Sequence, residues 1–275
     1  MPGITLDAVL KRDRIIIALS LAAITLLAWF YLLSLADLMA TGEKPMEPMD
    51  GMADMPGMAE AMLTPRAWRP GEAFLVFAMW SVMMVGMMLP SAAPMILLYA
   101  RVGRHAASQG APFAATGIFG GGYVAAWFLF SLVATFGQWL LERALLLTPM
   151  MESASGLFSG MLLLFAGLYQ WTPLKHACLS KCRAPVAFIQ SEGGFRRAPW
   201  GAFRMGLRHG LYCVGCCWPL MALLFVGGVM NILWIAGLAI FVLAEKVMPG
   251  GKRLSQVAGA ILVAAGAWLM IRGLS

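Results

Sequence analysis

The fold is decided by residues 73–100, which read AFLVFAMWSVMMVGMMLPSAAPMILLYA and contain no charged side chain. A helix of this length, at about 1.5 Å per residue, exceeds the roughly 30 Å of hydrocarbon in a bilayer. The whole chain of 275 residues has the same character, since 61% of its residues are hydrophobic and only 12% are charged. This composition excludes a disordered chain, a disulfide-stapled secreted module and an ordinary soluble enzyme. We therefore expect an all-α integral membrane protein.

Six further apolar runs supply candidate spans, at 15–38, 113–141, 156–171, 210–226, 232–244 and 254–271. Most can cross a bilayer, and the short run at 232–244 must include flanking residues, so the sequence predicts about seven transmembrane helices. The first run is too long for a signal-peptide core and no clear cleavage site follows it, so we expect it to be retained. Close helix packing is indicated by the small-residue spacings Gly117-x-x-x-Gly121 and Gly156-x-x-x-Gly160.

The basic residues predict how the chain is oriented. With the N-terminus in the cytoplasm, fifteen of the 20 Lys and Arg residues fall on the cytoplasmic side and five outside, as the positive-inside rule requires. We therefore expect a multi-pass protein of the bacterial inner membrane with a cytoplasmic N-terminus and an external C-terminus. The net charge of +7 is then a topology signal, and no nucleic-acid partner is expected. The basic side chains, Lys175 and Lys246 among them, are expected to be solvated in loops.

Three segments are expected: 1–38, the cytoplasmic N-terminus and first helix; 39–72, an external loop; and 73–275, a six-helix membrane domain with a cytoplasmic loop at 173–209. The external loop carries a methionine at every third position: Met46, Met49, Met52, Met55 and Met58. Proline and glycine interrupt this run, so the methionines do not form the apolar face of a helix. Thioether is a soft, uncharged ligand that suits Cu(I). The loop is therefore interpreted as a site of metal capture, or alternatively as an apolar loop touching the membrane.

Two spans share one pattern, with sulfur at corresponding positions. Residues 84–90 read MVGMMLP and residues 213–219 read CVGCCWP, so each methionine of the first is a cysteine in the second. Each proline deprives the carbonyl four residues earlier of its helical hydrogen bond, and both helices are expected to kink or loosen at the sulfur cluster. At helical spacing, His209, Cys213, Cys216 and Cys217 are expected to lie on one face of their span. The candidate ligands are Met83, Met84, Met87, Met88, His209, Cys213, Cys216 and Cys217. The alternative for the methionines is adaptable core packing.

The predicted orientation makes these two spans antiparallel, which suggests an inverted repeat of spans two to four and five to seven, although the loop lengths do not match. The cytoplasmic loop adds His176, Cys178 and Cys182. Nearby lysine and arginine favour thiolate there. Soft-metal binding, redox chemistry and no function all remain open for this group.

At these motifs the chain resembles a family of bacterial polytopic membrane proteins described as predicted metal-binding membrane proteins. The resembling segments are 79–90, 172–183 and 212–218. The resemblance implies membrane placement and metal binding. At the level of motifs alone, the Met-x-x-x-Met spacings at 83–87 and 84–88 are similar to those of the high-affinity copper transporters, which have three spans. The adjacent Cys216 and Cys217, with a further pair in a loop, are similar in placement to the mercury-transport membrane proteins.

These observations predict an inner-membrane protein that binds a soft metal, Cu(I) first and Ag(I), Hg(II) or Zn(II) as alternatives. It would transport the ion or transfer it to a periplasmic or cytoplasmic copper carrier or a cuproprotein, and it could act as an oligomer. One alternative is a membrane thiol-disulfide protein that passes electrons through Cys213/Cys216 and Cys178/Cys182. Another is a structural or assembly subunit of a membrane complex. No nucleotide-binding loop is present in the sequence, so ATP-driven transport by this chain alone is not expected. The sequence also offers no carboxylate pair or Ser-His-Asp set, so a transporter or metallochaperone is favoured over an enzyme.

Overall fold

The computed structural model describes residues 6–42, 68–109, 113–148, 151–195 and 197–274. Within these ranges the chain forms helices and no strands, apart from a single bridge between Leu147 and Ser153. The helices are α1 (Leu6–Gly42), α2 (Pro70–Ser108), α3 (Thr116–Arg143), α4 (Gly156–Tyr169), α5 (Pro173–Arg183), α6 (Pro185–Ser191), α7 (Pro199–Ala222), α8 (Leu224–Gly227), α9 (Ile232–Val247) and α10 (Gly251–Leu274). The prediction of an all-α protein is confirmed.

Several of these helices are long and apolar enough to cross a membrane. Five segments in the described ranges have both the length and the apolar composition that a membrane span needs: Ile15–Met39, Pro70–Ala106, Thr116–Arg143, Pro199–Gly227 and Gly251–Arg272. Helices α4 and α5 would add a sixth span if they cross the membrane together, and the bend between them is 65°. Helix α9 has 16 residues, in line with the short run at 232–244. The count of seven spans, the sidedness and the inverted repeat stay predictions.

Helices α3 and α7 pack backbone to backbone. A Cβ atom added at Gly206 would collide with the carbonyl of Phe119, and one added at Gly122 would collide with the carbonyl of Phe203. Helices α4 and α10 meet in the same way, since a Cβ at Gly160 would lie 2.9 Å from the carbonyl oxygen of Gly266. Only small residues allow this approach.

The predicted glycine spacings identified some of these contacts and missed others. Gly160 is at a helix contact as expected, but added Cβ atoms at Gly117, Gly121 and Gly156 would meet no described atom within 4 Å. The contact on α3 is made by Gly122, one residue away. A spacing of four residues fixes a helix face but does not say which face meets a neighbour.

The segment 173–209, predicted as a loop, is largely helical. It contains α5, α6 and the first part of α7, and each of these helices begins with a proline. The Thr172 hydroxyl accepts a hydrogen bond from the Lys175 amide at 3.2 Å, which caps α5. The polar composition suggested a loop, whereas the capping threonine and the prolines at the first helical positions are start signals for helices.

Candidate metal centre

The cysteines of α7 form one compact group. Cys213, Cys216 and Cys217 are at most 2% exposed. The thiols of Cys216 and Cys217 both donate to the carbonyl oxygen of Cys213, at 3.1 and 2.9 Å. The helical spacing of three and four residues therefore brings three sulfurs to one turn of α7.

The cysteines of α5 lie against this group. Cys182 packs against the buried cluster that contains Cys213 and Cys216, and its thiol interacts with theirs. Cys178 approaches the backbone at Gly215, where an added Cβ would lie 2.9 Å from the Cys178 sulfur. The two sets of cysteines, which the sequence places in different segments, are thus parts of a single cluster. Cysteine thiols in such contact can share one soft metal ion or exchange disulfides.

A buried ion pair holds α5 in this position. The Lys175 ammonium lies 2.7 and 2.9 Å from the two carboxylate oxygens of Glu245 on α9, and both side chains are at most 1% exposed. Lys175 also donates to Gln170, and the Ser255 hydroxyl of α10 donates to Glu245 at 2.5 Å. The expectation that Lys175 is solvated was wrong, because its charge is balanced by Glu245 rather than by water.

Lys246 is the second basic residue that the sequence placed wrongly in solvent. Its ammonium lies 2.8 Å from the Cys213 sulfur and 3.0 Å from the Ser91 hydroxyl of α2, and the residue is 7% exposed. An ammonium group only donates hydrogen bonds, so both partners accept. The sequence did carry a signal for it: Glu245 and Lys246 directly follow an apolar run, and ionisable residues within membrane helices are functional candidates.

Tyr123 of α3 joins the methionine helix to the cysteine helix. Its hydroxyl donates to the carbonyl oxygen of Met88 at 3.0 Å and lies 3.1 Å from the Cys213 sulfur. The same carbonyl accepts a hydrogen bond from Ser91 at 2.8 Å. A short polar bridge therefore runs from α2 through Tyr123, and through Ser91 and Lys246, to Cys213. Sequence reasoning did not select Tyr123.

The predicted intramembrane methionines are all in the core. Met83, Met84, Met87 and Met88 are 0 to 2% exposed, and they belong to the same buried cluster as the cysteines of α7. The predicted ligands of the external loop, Met46 to Met58, lie outside the described residues. The buried methionines are thus placed where they can serve either as packing or as ligands.

The two histidines of the predicted site differ in their surroundings. His209 is 3% exposed and its ring centroid lies 5.1 to 6.2 Å from those of Phe119, Tyr123 and Phe188. Its Nδ1 atom is buried and has no hydrogen-bond partner in the part of the chain that the structure describes. An unpaired buried nitrogen is costly, which makes it a candidate ligand. His176 is half-buried, and among the described residues no hydrogen bond joins it to the cysteine cluster.

The hydrogen bonds of α7 show how this helix accommodates Pro219. The carbonyl oxygen of Gly215, which lies four residues before Pro219, accepts a hydrogen bond of 2.5 Å from the Tyr169 hydroxyl of α4. Tyr169 therefore satisfies the acceptor that proline leaves free. Helix α7 nevertheless continues to Ala222, and α2 continues through Pro90 and Pro94. The expected disturbance is local, without a break in either helix.

The cluster is not a ready-made multidentate site. Across the described ranges, no three His, Cys, Asp or Glu side chains are grouped so that they could hold one metal ion together. Methionine is not one of these four residue types, so its thioether is a further ligand beside them. The arrangement therefore suits a soft ion with few ligands, drawn from two neighbouring thiols with thioether or imidazole support.

Comparisons with known proteins agree with this chemistry. The model of the PpoB2 family, described as a copper chaperone, matches residues 77–269. This range contains the described methionines of α2, the cysteines of α5 and α7, Tyr123 and Lys246. No curated protein and no solved structure matches the chain. Since the match covers well over half of the sequence, the chain belongs to the PpoB2 copper chaperone family.

Proposed function

We propose that this protein binds Cu(I) within the membrane through methionine and cysteine ligands and transfers it to a partner cuproprotein or carrier. The observation that carries the proposal is the polar bridge at Tyr123, which joins the backbone of Met88 to the sulfur of Cys213. It places the methionine-rich segment of α2 beside the cysteine cluster. Thioether and thiolate are both soft donors that favour Cu(I) over hard cations.

The order of ligands suggests a direction within the site. Thioethers are neutral and need no deprotonation, whereas thiolates are anionic and hold a cation more tightly. We propose that the external methionines (46, 49, 52, 55 and 58) capture the ion and that Met83, Met84, Met87 and Met88 receive it. Cys213, Cys216 and Cys217 then retain it, with Cys182 and Cys178 of α5 beside them. His209 supplies an additional nitrogen.

Burial of the site explains why sulfur ligands are needed. A bare cation in a low-dielectric interior is prohibitively unfavourable unless donors and negative charge surround it. The cysteine cluster offers both once a thiol has lost its proton. A chaperone must also release the ion, and a site with few ligands permits exchange more readily than a closed four-ligand site. This favours a carrier that loads a partner over a closed structural site.

The test is metal analysis of the purified full-length protein in reducing buffer. Wild-type protein is expected to bind Cu(I) in competition with a chromogenic Cu(I) chelator. The double variant Cys213→Ser, Cys216→Ser should lose the tightly held copper. The quadruple variant Met83→Leu, Met84→Leu, Met87→Leu, Met88→Leu should bind more weakly and load more slowly. The matched control is Met161→Leu, because Met161 is 48% exposed on α4 and its replacement should have no effect.

The same variants separate the redox alternative from copper transfer. A thiol-disulfide protein would lose disulfide exchange in the Cys213→Ser, Cys216→Ser variant and keep it in the methionine variant. A copper carrier depends on both sets of residues. Wild-type protein that fails to compete with the chelator for Cu(I) would contradict the proposal.

A further inference from the structure

We propose that Lys246 makes the cysteine cluster selective for a monovalent metal ion. The proposal rests on the proposed copper function and concerns which ion the site accepts. The Lys246 ammonium lies 2.8 Å from the Cys213 sulfur, and Lys246 is 7% exposed. A fixed positive charge is therefore built into the wall of a buried sulfur site.

Among the charged side chains that the structure describes around the cluster, Lys246 has no carboxylate partner, since it contacts Ser91 and Cys213. The nearby Lys175 is neutralised by Glu245, because its ammonium contacts both carboxylate oxygens. The Ser91 and Tyr123 groups that face Lys246 and Cys213 are uncharged hydroxyls. Glu245 is thus paired with Lys175. The positive charge of Lys246 therefore has to be balanced by the cysteine thiolates that hold the ion.

The number of ligands decides which ion gives a neutral site. No three acidic, histidine or cysteine side chains are arranged around one point in the described ranges, so two thiolates are the simplest anionic set. Two thiolates, one monovalent ion and the Lys246 ammonium sum to zero. A divalent ion in the same place leaves a net positive charge. Buried net charge is strongly unfavourable, and like charges a few ångströms apart repel far more than they would in water.

Lys246 is therefore expected to act on the choice of ion more than on the ability to bind. Its ammonium is held by Ser91 on one side and Cys213 on the other, so it remains beside the ion rather than moving into solvent. Removing the charge should relieve the repulsion of a divalent ion. A soft thiolate-binding ion such as Cd(II) would then compete with the monovalent ions that the wild-type site prefers.

The test compares Ag(I) and Cd(II) binding to the full-length protein in detergent. Cd(II) is followed by the ultraviolet charge-transfer absorption of cadmium thiolate, and Ag(I) by its displacement of Cd(II). In Lys246→Met and Lys246→Gln, the affinity for Cd(II) relative to Ag(I) is expected to rise about tenfold or more, as repulsion at short range implies. Lys246→Arg keeps the charge and should keep the wild-type ratio. Lys252→Met is the matched control, since Lys252 is exposed at the start of α10.

Two neutral variants are used in case one of them fails to fold. Lys246→Gln retains a group that can donate a hydrogen bond to Ser91, whereas Lys246→Met does not. An unchanged ratio in whichever neutral variant remains folded would overturn the inference while leaving copper binding intact. Wild-type protein that binds neither Ag(I) nor Cu(I) would instead overturn the proposed function itself.

Discussion

The ammonium of Lys246 lies 2.8 Å from the sulfur of Cys213, although the two residues are 33 positions apart on different helices. This contact joins α9 to α7, and the hydrogen bond from Lys246 to Ser91 extends it to α2. The cysteine cluster of α7 is thus also contacted by Lys246 of α9, which in turn contacts Ser91 of α2.

Replacing Gly122 with alanine should destabilise the protein, whereas replacing Gly121 should not. A Cβ at Gly122 would collide with the Phe203 carbonyl on α7, while one at Gly121 would meet no described atom within 4 Å. Overpacking of this kind costs about 1–3 kcal/mol or more. Alanine in place of an unhindered helical glycine is neutral or stabilising by up to about 1 kcal/mol. Unfolding midpoints of the two variants in detergent check this, and equal midpoints would contradict the close contact of α3 with α7.

Replacing Lys175 with methionine should cost about 3–5 kcal/mol, because it leaves the Glu245 carboxylate buried without a counter-ion. Both side chains of the pair are at most 1% exposed. Adding Glu245→Gln to the same protein should recover part of the loss, since the uncompensated charge is then gone. Equilibrium unfolding of the single and double variants measures the difference. A single variant as stable as the wild type would show that the pair does not anchor α5.

Replacing Tyr123 with phenylalanine should lower stability by about 0.5–1.5 kcal/mol, the usual net contribution of one hydrogen bond. Its hydroxyl donates to the Met88 carbonyl and contacts the Cys213 sulfur. Tyr99→Phe is the matched control, because the Tyr99 hydroxyl is buried without a hydrogen-bond partner among the described residues. Thermal unfolding should therefore show a lower midpoint for the Tyr123 variant only.

Mild oxidation of the metal-free protein should form a disulfide between Cys182 and either Cys213 or Cys216. Cys182 packs against the buried cluster that contains both of these cysteines, and its thiol interacts with theirs. A disulfide requires this kind of proximity. Peptide mass mapping identifies the linked pair. The Cys213→Ser, Cys216→Ser variant should lose these crosslinks. Failure to form either disulfide in the wild type would argue against the contact between α5 and α7.

The sequence predicted the features that depend on residues close together in the chain. Apolar runs predicted the long helices, and the helical spacing of Cys213, Cys216 and Cys217 predicted that they share a face. The position of Pro219 also predicted that the Gly215 carbonyl would need another donor, which the structure supplies as Tyr169. Each of these inferences follows from the geometry of a single helix.

The rest of the site depends on contacts between distant residues, which periodicity does not reveal. Lys246 and Lys175 were predicted to be solvated in cytoplasmic loops because basic residues concentrate there. In the structure Lys246 contacts Cys213, and Lys175 contacts Glu245. Cys182 was placed in a loop because its neighbours are polar, whereas the capped helix α5 brings it to α7. Tyr123 has no sequence signal beyond its position in an apolar run. A side chain's partner on another helix has to be seen in the packed structure.

The glycine contacts between α3 and α7 have a mechanical consequence for the cysteine cluster. An added Cβ at Gly210 would lie 2.9 Å from the carbonyl oxygen of Tyr123, and Cys213 follows Gly210 by less than one turn. The separation of Tyr123 from Cys213 is therefore set by touching main chains, which compress very little. Cys182, in contrast, is carried by a helix of 11 residues that is tied to α9 by side chains. One side of the cluster is thus set by contact between main chains, and the other side is held by side chains and carries cysteines of its own.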